Sequence, residues 1–146
     1  MSWYGATGSV AVMPRAAATD PASAAEPDDD LIPDVFARAC SSRHLLADVT
    51  GKWGVLALAA LNEGTYRFNA LRRRVDGVSE KMLAQTLQAL QRDGLVHREV
   101  QAAIPPRVEY SLTPSGRRIA VKLQQLIDVL EAEMPAVRAA RAENEQ

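Results

Sequence analysis

The chain of 146 residues is long enough for one domain of ordinary size and some additional segments. Hydrophobic residues make up 47% but aromatic residues only 5%, so the core must consist mainly of Leu, Val, Ile and Ala. No apolar run approaches the eighteen or so residues of a membrane span, and the first residues lack the basic segment of a secretory signal. The single cysteine, Cys40, excludes an intrachain disulfide framework and a multi-thiolate metal site. We therefore expect a cytoplasmic protein.

The formal net charge is −1, but the charges are distributed unevenly along the chain. Residues 43–118 carry twelve basic and seven acidic side chains, a net charge of +5. The preceding residues 1–42 carry −4, and the following residues 119–146 carry −2. A basic middle between acidic ends predicts a polyanionic partner.

Composition and periodicity divide the chain into three parts. Residues 1–33 are acidic and rich in Ala and Pro, which predicts a flexible extension. This extension is either a functional arm or a remnant of expression, and the sequence leaves both alternatives open. An ordered domain is expected over 34–134, with a core at about 51–113, followed by a polar tail at 135–146.

The sequence pattern predicts three helices in the first half of this domain. Apolar residues recur at helical spacing over 34–50, with a break at Ser41-Ser42, and Gly51 ends the element. A second helix is expected from Trp53 to about Leu61. Residues 66–68 form either a short strand or the lead into a third helix, which a turn at 76–77 follows.

A fourth helix begins after Ser79, a favourable N-cap, and ends at Gly94. Its buried stripe consists of Leu83, Leu87 and Leu90, at positions i, i+4 and i+7. The opposite side is polar and basic. This pattern predicts a helix that covers the domain with one face and leaves the other face free.

A β-hairpin and a long helix complete the pattern. Two β-prone runs, 95–100 and 107–112, flank a loop that contains Pro105-Pro106. Thr113 caps the last helix, and Pro114 occupies its first position. The fold class is therefore mainly α with a small β-hairpin (α+β), in the order of a winged helix-turn-helix.

This arrangement places the fourth helix in the DNA major groove and the hairpin, as a wing, beside it. The core at about 51–113 is therefore expected to be the DNA-binding part of the domain. Phosphate contacts fix register and affinity, whereas base contacts specify sequence. The residues expected to read bases are Ser79, Lys81, Met82, Gln85 and Thr86. The residues expected at phosphates and at the wing are Lys52, Arg67, Asn69, Arg72, Arg73 and Arg107.

Several motifs in this order are similar to those of HxlR-type (MarR-like) winged helix-turn-helix regulators. They comprise Cys40, Gly-Lys-Trp at 51–53, Gly-Val-Ser-Glu-Lys-Met-Leu at 77–83, Asp-Gly-Leu-Val-His-Arg at 93–98 and Pro-Pro-Arg-Val-Glu-Tyr-Ser-Leu-Thr at 105–113. Arg-Phe-Asn-Ala-Leu at 67–71 belongs to the same set, and the resemblance spans roughly 38–130.

The resemblance implies a dimeric bacterial transcription factor, expected to be a repressor, that binds an inverted-repeat DNA operator. Terminal helices form the dimer in this family, so half-sites would repeat about every helical turn of DNA, roughly 34 Å. The dimer interface is expected to include Phe36, Leu123, Leu126, Ile127 and Leu130.

The sequence also departs from the family's pattern. Ser41 follows the cysteine where Pro is usual, and Ala84 and Thr86 stand where many members have Thr and Arg. The wing segment 101–104 lacks an aromatic residue that is often present. These departures leave the operator sequence and the role of Thr86 open.

The resemblance also suggests that Cys40 senses oxidants or electrophiles, because some members use a cysteine at this position. With no second cysteine, the thiol would pair with Cys40 of a second subunit or be capped by a small thiol or quinone. Alternatively, Cys40 is a small buried apolar residue of the core and no sensor. The other signal that the sequence leaves open is a small molecule that binds near Trp53 and Phe36.

Other function classes find little support in the sequence. No phosphate loop, dinucleotide fingerprint, HExxH motif or metal-ligand cluster is present, so neither an enzyme nor a cofactor or metal is expected. The alternative is a winged helix that binds proteins instead of DNA. That role would favour a neutral or acidic free face on the fourth helix, unlike the one that carries Lys81 and Arg92.

Overall fold

A computed structural model describes residues 34–146, so the predicted extension at 1–33 lies outside the described residues. The described residues fall into two units, which divide between Ser42 and Arg43. The elements in chain order are α1 (Ser41–Thr50), α2 (Lys52–Glu63), β1 (Tyr66–Arg67), α3 (Phe68–Arg74), α4 (Glu80–Arg92), β2 (Val96–Gln101), β3 (Arg107–Leu112) and α5 (Pro114–Asn144).

Residues 34–40 form turns, so the helix predicted from Asp34 is wrong in its start. The Asp34 side chain accepts a hydrogen bond from the Phe36 backbone N–H at 3.2 Å. The Asp34 carbonyl accepts another from Ala37 N–H at 3.0 Å. Such local bonds of an aspartate offer the backbone an alternative to a helix. The helix therefore begins at Ser41, where the sequence predicted a break.

The prediction for α4 is confirmed at its start, its buried face and its end. The Ser79 hydroxyl accepts a hydrogen bond from Met82 N–H at 3.0 Å, as an N-cap does. Leu83, Leu87 and Leu90 are completely or almost completely buried. The helix ends at Arg92, and Gly94 follows with a φ of +74°, a conformation that favours glycine.

The hairpin belongs to a three-stranded antiparallel sheet in the order β1-β3-β2. The strands of the wing pair from Val96 with Leu112 to Gln101 with Arg107. The short strand β1 adds to the other edge of β3, where Tyr66 pairs with Tyr110. Both alternatives for residues 66–68 hold in part, since two strand residues lead directly into α3.

The start of α5 is fixed to the sheet. The Thr113 side chain accepts from Gly116 N–H at 3.0 Å and donates to the Gly94 carbonyl at 2.6 Å. A Cβ on Gly116 would collide with the Leu95 carbonyl, so this glycine allows the close approach of α5 to the residue before β2.

The helix α5 does not end at 134, where the ordered domain was predicted to end. It continues through Pro135 to Asn144, and the segment predicted as a polar tail is helical and mostly exposed. Leu123, which the sequence predicted at a dimer interface, is only 8% exposed and belongs to the core of its own chain. It therefore offers little surface to a second subunit.

The core of residues 43–146 is made of leucines, valines and alanines from all five helices, β2 and the connecting segments, together with Tyr110 of β3. Within the described range 34–146, no single helix is long and apolar enough to cross a membrane. The pair α1 and α2, bent by 74°, reaches that length and composition only together.

Candidate nucleic-acid interface

The outer face of α4 is polar and open to solvent. Lys81, Gln85 and Gln88 are exposed, and Met82 is partly exposed beside them. Thr86 is half-buried. Because the leucine stripe turns the other side of α4 into the core, this face is the one that a ligand can reach.

A shallow hollow of about 250 Å³ joins this face to the start of α2. Its lining includes Lys52 and Trp53 from α2, and Met82, Gln85 and Thr86 from α4. The Lys52 ammonium lies 4.4 Å from the centre of the Trp53 ring, a distance typical of a cation–π contact. The structure thereby holds Lys52 beside the predicted base-reading residues.

A second hollow, of about 760 Å³, lies between α3 and the start of α4. Asn69, Arg72 and Arg73 line it from α3, and Ser79 lines it from the α4 cap. The two helices are joined by a tight turn in which Gly77 has a φ of +89°. Two guanidinium groups, of Arg72 and Arg73, and two carboxylates, of Asp76 and Glu80, line this hollow beside the N-terminus of α4.

A third hollow, of about 510 Å³, connects α3 to the wing. Arg67, Asn69 and Arg73 face Pro105, Pro106 and Arg107 across it. Asn69 and Arg73 line both this hollow and the second one. The predicted phosphate-contacting residues of α3 and the wing therefore form one continuous surface next to the start of α4.

Arg74 is the third residue of the basic run Arg72-Arg73-Arg74 and has a different role. It donates two hydrogen bonds to the Glu63 carboxylate, at 2.8 Å and 2.6 Å, and Tyr66 donates a third at 2.9 Å. The hydrogen bonding to Arg74 lowers the pKa of the Glu63 carboxyl most, and the bond from Tyr66 lowers it further. This network could not be predicted from the sequence, since no spacing rule relates the end of α2 to the end of α3.

The predicted sensor, Cys40, belongs to the unit of residues 1–42. Its side chain is 4% exposed, and its Sγ lies 3.0 Å from the Ser42 hydroxyl oxygen. Phe36, a predicted interface residue of the same unit, is strongly exposed.

The remaining predicted interface residues lie on α5. Leu126 is 49% exposed and Leu130 is similarly open, whereas Ile127 is half-buried. Val129 adds a further exposed apolar side chain next to Leu130. In residues 34–146, no group of three or more His, Cys, Asp or Glu side chains is placed to hold a metal ion.

A short helix, a tight turn, a helix with a free polar face and a hairpin next to a cationic surface define a winged helix-turn-helix DNA-binding protein. The HxlR-like helix-turn-helix family model matches residues 48–137. The chain belongs to this family of transcriptional regulators.

Relatives at the level of sequence and structure agree with this assignment. The uncharacterised HTH-type transcriptional regulator YtfH of Escherichia coli (strain K12) is 53% identical over 110 residues, which are 75% of this chain and 87% of YtfH. The solved structure of ytfH from Salmonella typhimurium, a proposed transcriptional regulator, is 51% identical and has a TM-score of 0.71. That match covers 75% of this chain and 97% of the Salmonella chain.

A third relative is a redox regulator. The reduced form of HypR is 34% identical to this chain, with a TM-score of 0.62. The match covers 67% of this chain and 97% of HypR.

Proposed function

We propose that this regulator acts as a homodimer that represses transcription by binding an inverted-repeat operator. The observation that carries the proposal is the continuity of the surface. Asn69 and Arg73 line both the hollow at the start of α4 and the hollow at the wing. A DNA backbone that follows this surface would place the polar face of α4 at the major groove.

The roles of individual residues follow from their places on this surface. Lys81 and Gln85, exposed in the first half of α4, would contact base edges, with Ser79, Met82 and Thr86 beside them. The residues assigned to phosphates are Lys52, Arg67, Asn69, Arg72, Arg73 and Arg107. We propose no enzymatic activity, since the named relatives are transcriptional regulators.

Dimerisation would use the exposed apolar side chains of α5. Leu126 and Leu130 lie one helical turn apart and are both about half exposed. Ile127 extends the stripe toward the core. Two-fold symmetry would then present two α4 helices to successive major grooves.

The test is fluorescence anisotropy with the DNA upstream of the regulator's own gene, measured over a range of salt concentrations. About four phosphate contacts per subunit give a log–log salt slope near −7 for a dimer, because each neutralised phosphate contributes about −0.9. A slope near zero, or equal affinity for scrambled DNA, would contradict operator binding and favour a protein-binding role.

We further infer that the Cys40 thiol is where an oxidant or electrophile releases the DNA, as the similarity to the redox regulator HypR supports. The matched test compares wild type with Cys40→Ser after mild diamide or quinone treatment. Loss of DNA binding in wild type alone is the expected result. Equal binding by both treated proteins would overturn the inference and leave a small-molecule effector.

A further inference from the structure

A fourth hollow, of about 410 Å³, lies between α2, α3 and α5. Leu56 and Ala59 of α2 and Ile127 of α5 give it apolar walls, and the ion pair of Glu63 with Arg74 belongs to its lining. Cavities of about 300–1,000 Å³ with apolar walls and a few polar groups are typical of small-molecule sites. The size and the mixed lining of this hollow therefore suit a small organic ligand.

The charges in this hollow do not balance. Three carboxylates and one guanidinium line it, a net charge of −2. Glu63 and Arg74 neutralise each other through two hydrogen bonds. Asp76, in the turn before α4, and Glu131 of α5 are exposed, and neither carboxylate takes part in an ion pair within residues 34–146. Apolar walls beside uncompensated carboxylates favour a cation with an apolar body, because the carboxylates attract the charge and the walls remove the body from water.

The hollow is separate from the proposed dimer face of α5. Gln124 and Glu131 line the hollow and lie seven residues apart, on nearly the same side of the helix. Leu126 and Leu130 are centred roughly 130° around the helix from these two residues, since each residue turns an α-helix by about 100°. A ligand in the hollow can therefore contact α5 without occupying the surface proposed for a second subunit.

Asp76 connects this hollow to the surface proposed for DNA. It lines both the fourth hollow and the second hollow, where Arg72 and Arg73 are assigned to phosphates. A carboxylate beside these arginines repels the DNA backbone, and a cation bound at Asp76 offsets this repulsion. Cation binding and DNA binding should therefore strengthen each other by the same factor, because coupling between two sites is reciprocal.

We propose that the fourth hollow binds an organic cation with an apolar body, such as an aromatic alkylamine, and that the bound cation increases the affinity for DNA. The ammonium group pairs with Asp76, and Glu131 adds to the negative potential that attracts it. The apolar body packs on Leu56 and Ile127. The effect on DNA rests on the proposed operator binding, whereas the cation site itself does not.

The first experiment measures ligand binding to the full-length protein without DNA, by isothermal titration calorimetry. Three probes have similar shapes and differ in charge: tryptamine is a cation, tryptophol is neutral and indoleacetate is an anion. We expect tryptamine to bind about tenfold more tightly than tryptophol, and indoleacetate to show no binding. Equal affinities for the three probes, or no binding of tryptamine, would overturn the proposed site.

Four variants locate the binding. Asp76→Asn and Glu131→Gln should each weaken tryptamine binding about threefold and leave tryptophol binding unchanged, because each removes one exposed charge interaction. Ala59→Leu fills part of the hollow without a change of charge and should weaken both probes. Glu143→Gln removes a carboxylate of α5 outside the hollow and should bind like wild type. Circular dichroism checks the fold of each variant, and wild-type affinity in both charge variants would place tryptamine elsewhere.

The second experiment tests the coupling to DNA, on the tightest-binding duplex selected from a random pool. Saturating tryptamine should increase the affinity of the wild-type protein for this duplex about threefold. Asp76→Asn should bind DNA more tightly than wild type without the amine and should not respond to it. The lack of response also shows that the amine does not act on the DNA itself.

The outcomes separate this inference from the proposed function. If tryptamine binds in the hollow but leaves DNA affinity unchanged or weakens it, the coupling is wrong and operator binding stands. If selection yields no preferred duplex, operator binding fails, and the calorimetric test of the cation site is unaffected.

Discussion

Arg74 is held by Glu63 through two hydrogen bonds, 2.8 Å and 2.6 Å long, that join the end of α3 to the end of α2. The guanidinium is therefore already occupied by a carboxylate of its own chain. Arg72 and Arg73, its neighbours in the same basic run, line the hollow at the start of α4 instead. Adjacent arginines thus have different surroundings: Arg74 joins two helices, whereas Arg72 and Arg73 line the surface that we propose for phosphate contacts.

This division predicts different salt dependences for two arginine variants. Arg72→Ala should weaken binding to all DNA sequences and flatten the log–log salt slope by about one unit, because one phosphate contact is lost. Arg74→Ala should leave the slope unchanged and lower the melting temperature slightly, since its ion pair is exposed. Anisotropy titrations at several salt concentrations and thermal melts measure both. Equal slopes for the two variants would remove Arg72 from the phosphate contacts.

The base-reading assignment predicts a loss of specificity in α4. Lys81→Ala and Gln85→Ala should each reduce the discrimination between operator and scrambled DNA by about 1–3 kcal/mol, the value of a lost base contact. Gln91→Ala, exposed near the other end of α4, is the control and should bind like wild type. Competition titrations give the ratios, and unchanged ratios for Lys81→Ala and Gln85→Ala would refute the assignment.

The exposure of α5 predicts different outcomes for two neighbouring leucines. Leu126→Asp should give a folded monomer, because a charge in an apolar interface opposes association. Leu123→Ala should lower the free energy of unfolding by about 2–5 kcal/mol, since it leaves a cavity in the core. Light scattering and circular dichroism distinguish the two. Gln125→Asp adds the same charge to the opposite side of α5 and should stay dimeric; a dimeric Leu126→Asp would exclude this face from the interface.

The neighbouring carboxyl groups of Asp48 and Asp93 predict that the free energy of unfolding depends on pH. Partial burial and the nearby Asp48 carboxyl raise the pKa of Asp93 to about 6. The unfolded value is about 3.9, so the folded chain binds this proton more tightly than the unfolded chain does. The stabilisation is complete below about pH 4 and is lost as the pH rises through 6.

Replacing the partner tests this prediction. Asp48→Asn should reduce the loss of stability between pH 4 and pH 6, because it removes the like charge beside Asp93. Denaturant titrations at pH 5 and pH 7.5 measure the change against wild type. Glu143→Gln, at the exposed end of α5, is the control and should follow wild type; Asp48→Asn doing the same would contradict the pairing.

Close packing at the start of α5 predicts a large effect from one methyl group. Gly116→Ala should lower the free energy of unfolding by about 1–3 kcal/mol, because the new Cβ collides with the Leu95 backbone carbonyl. Gly64→Ala is the matched control, since nothing lies within 4 Å of a Cβ there. Urea denaturation compares the two. Equal stability of both variants would mean that α5 can shift away from β2 at little cost.

Features that depend on neighbours along the chain could be predicted from the amino-acid order alone. The N-caps Ser79 and Thr113, the leucine stripe of α4 and the glycine at its end follow from the local periodicity and hydrogen bonding of a helix. The recurring motifs were enough to indicate the family. The start of α1 was wrong for an equally local reason, since the Asp34 side chain bonds to the backbone of Phe36.

Features that depend on residues far apart in the chain required the folded structure. It separated Arg74 from Arg73, since the partner Glu63 lies eleven residues away on another helix. It also buried Leu123 and exposed Leu126 within one apolar stripe, because the packed core covers only part of the surface of α5. Periodicity shows which side of a helix is apolar, but the position of the neighbouring elements decides how much of that side is covered.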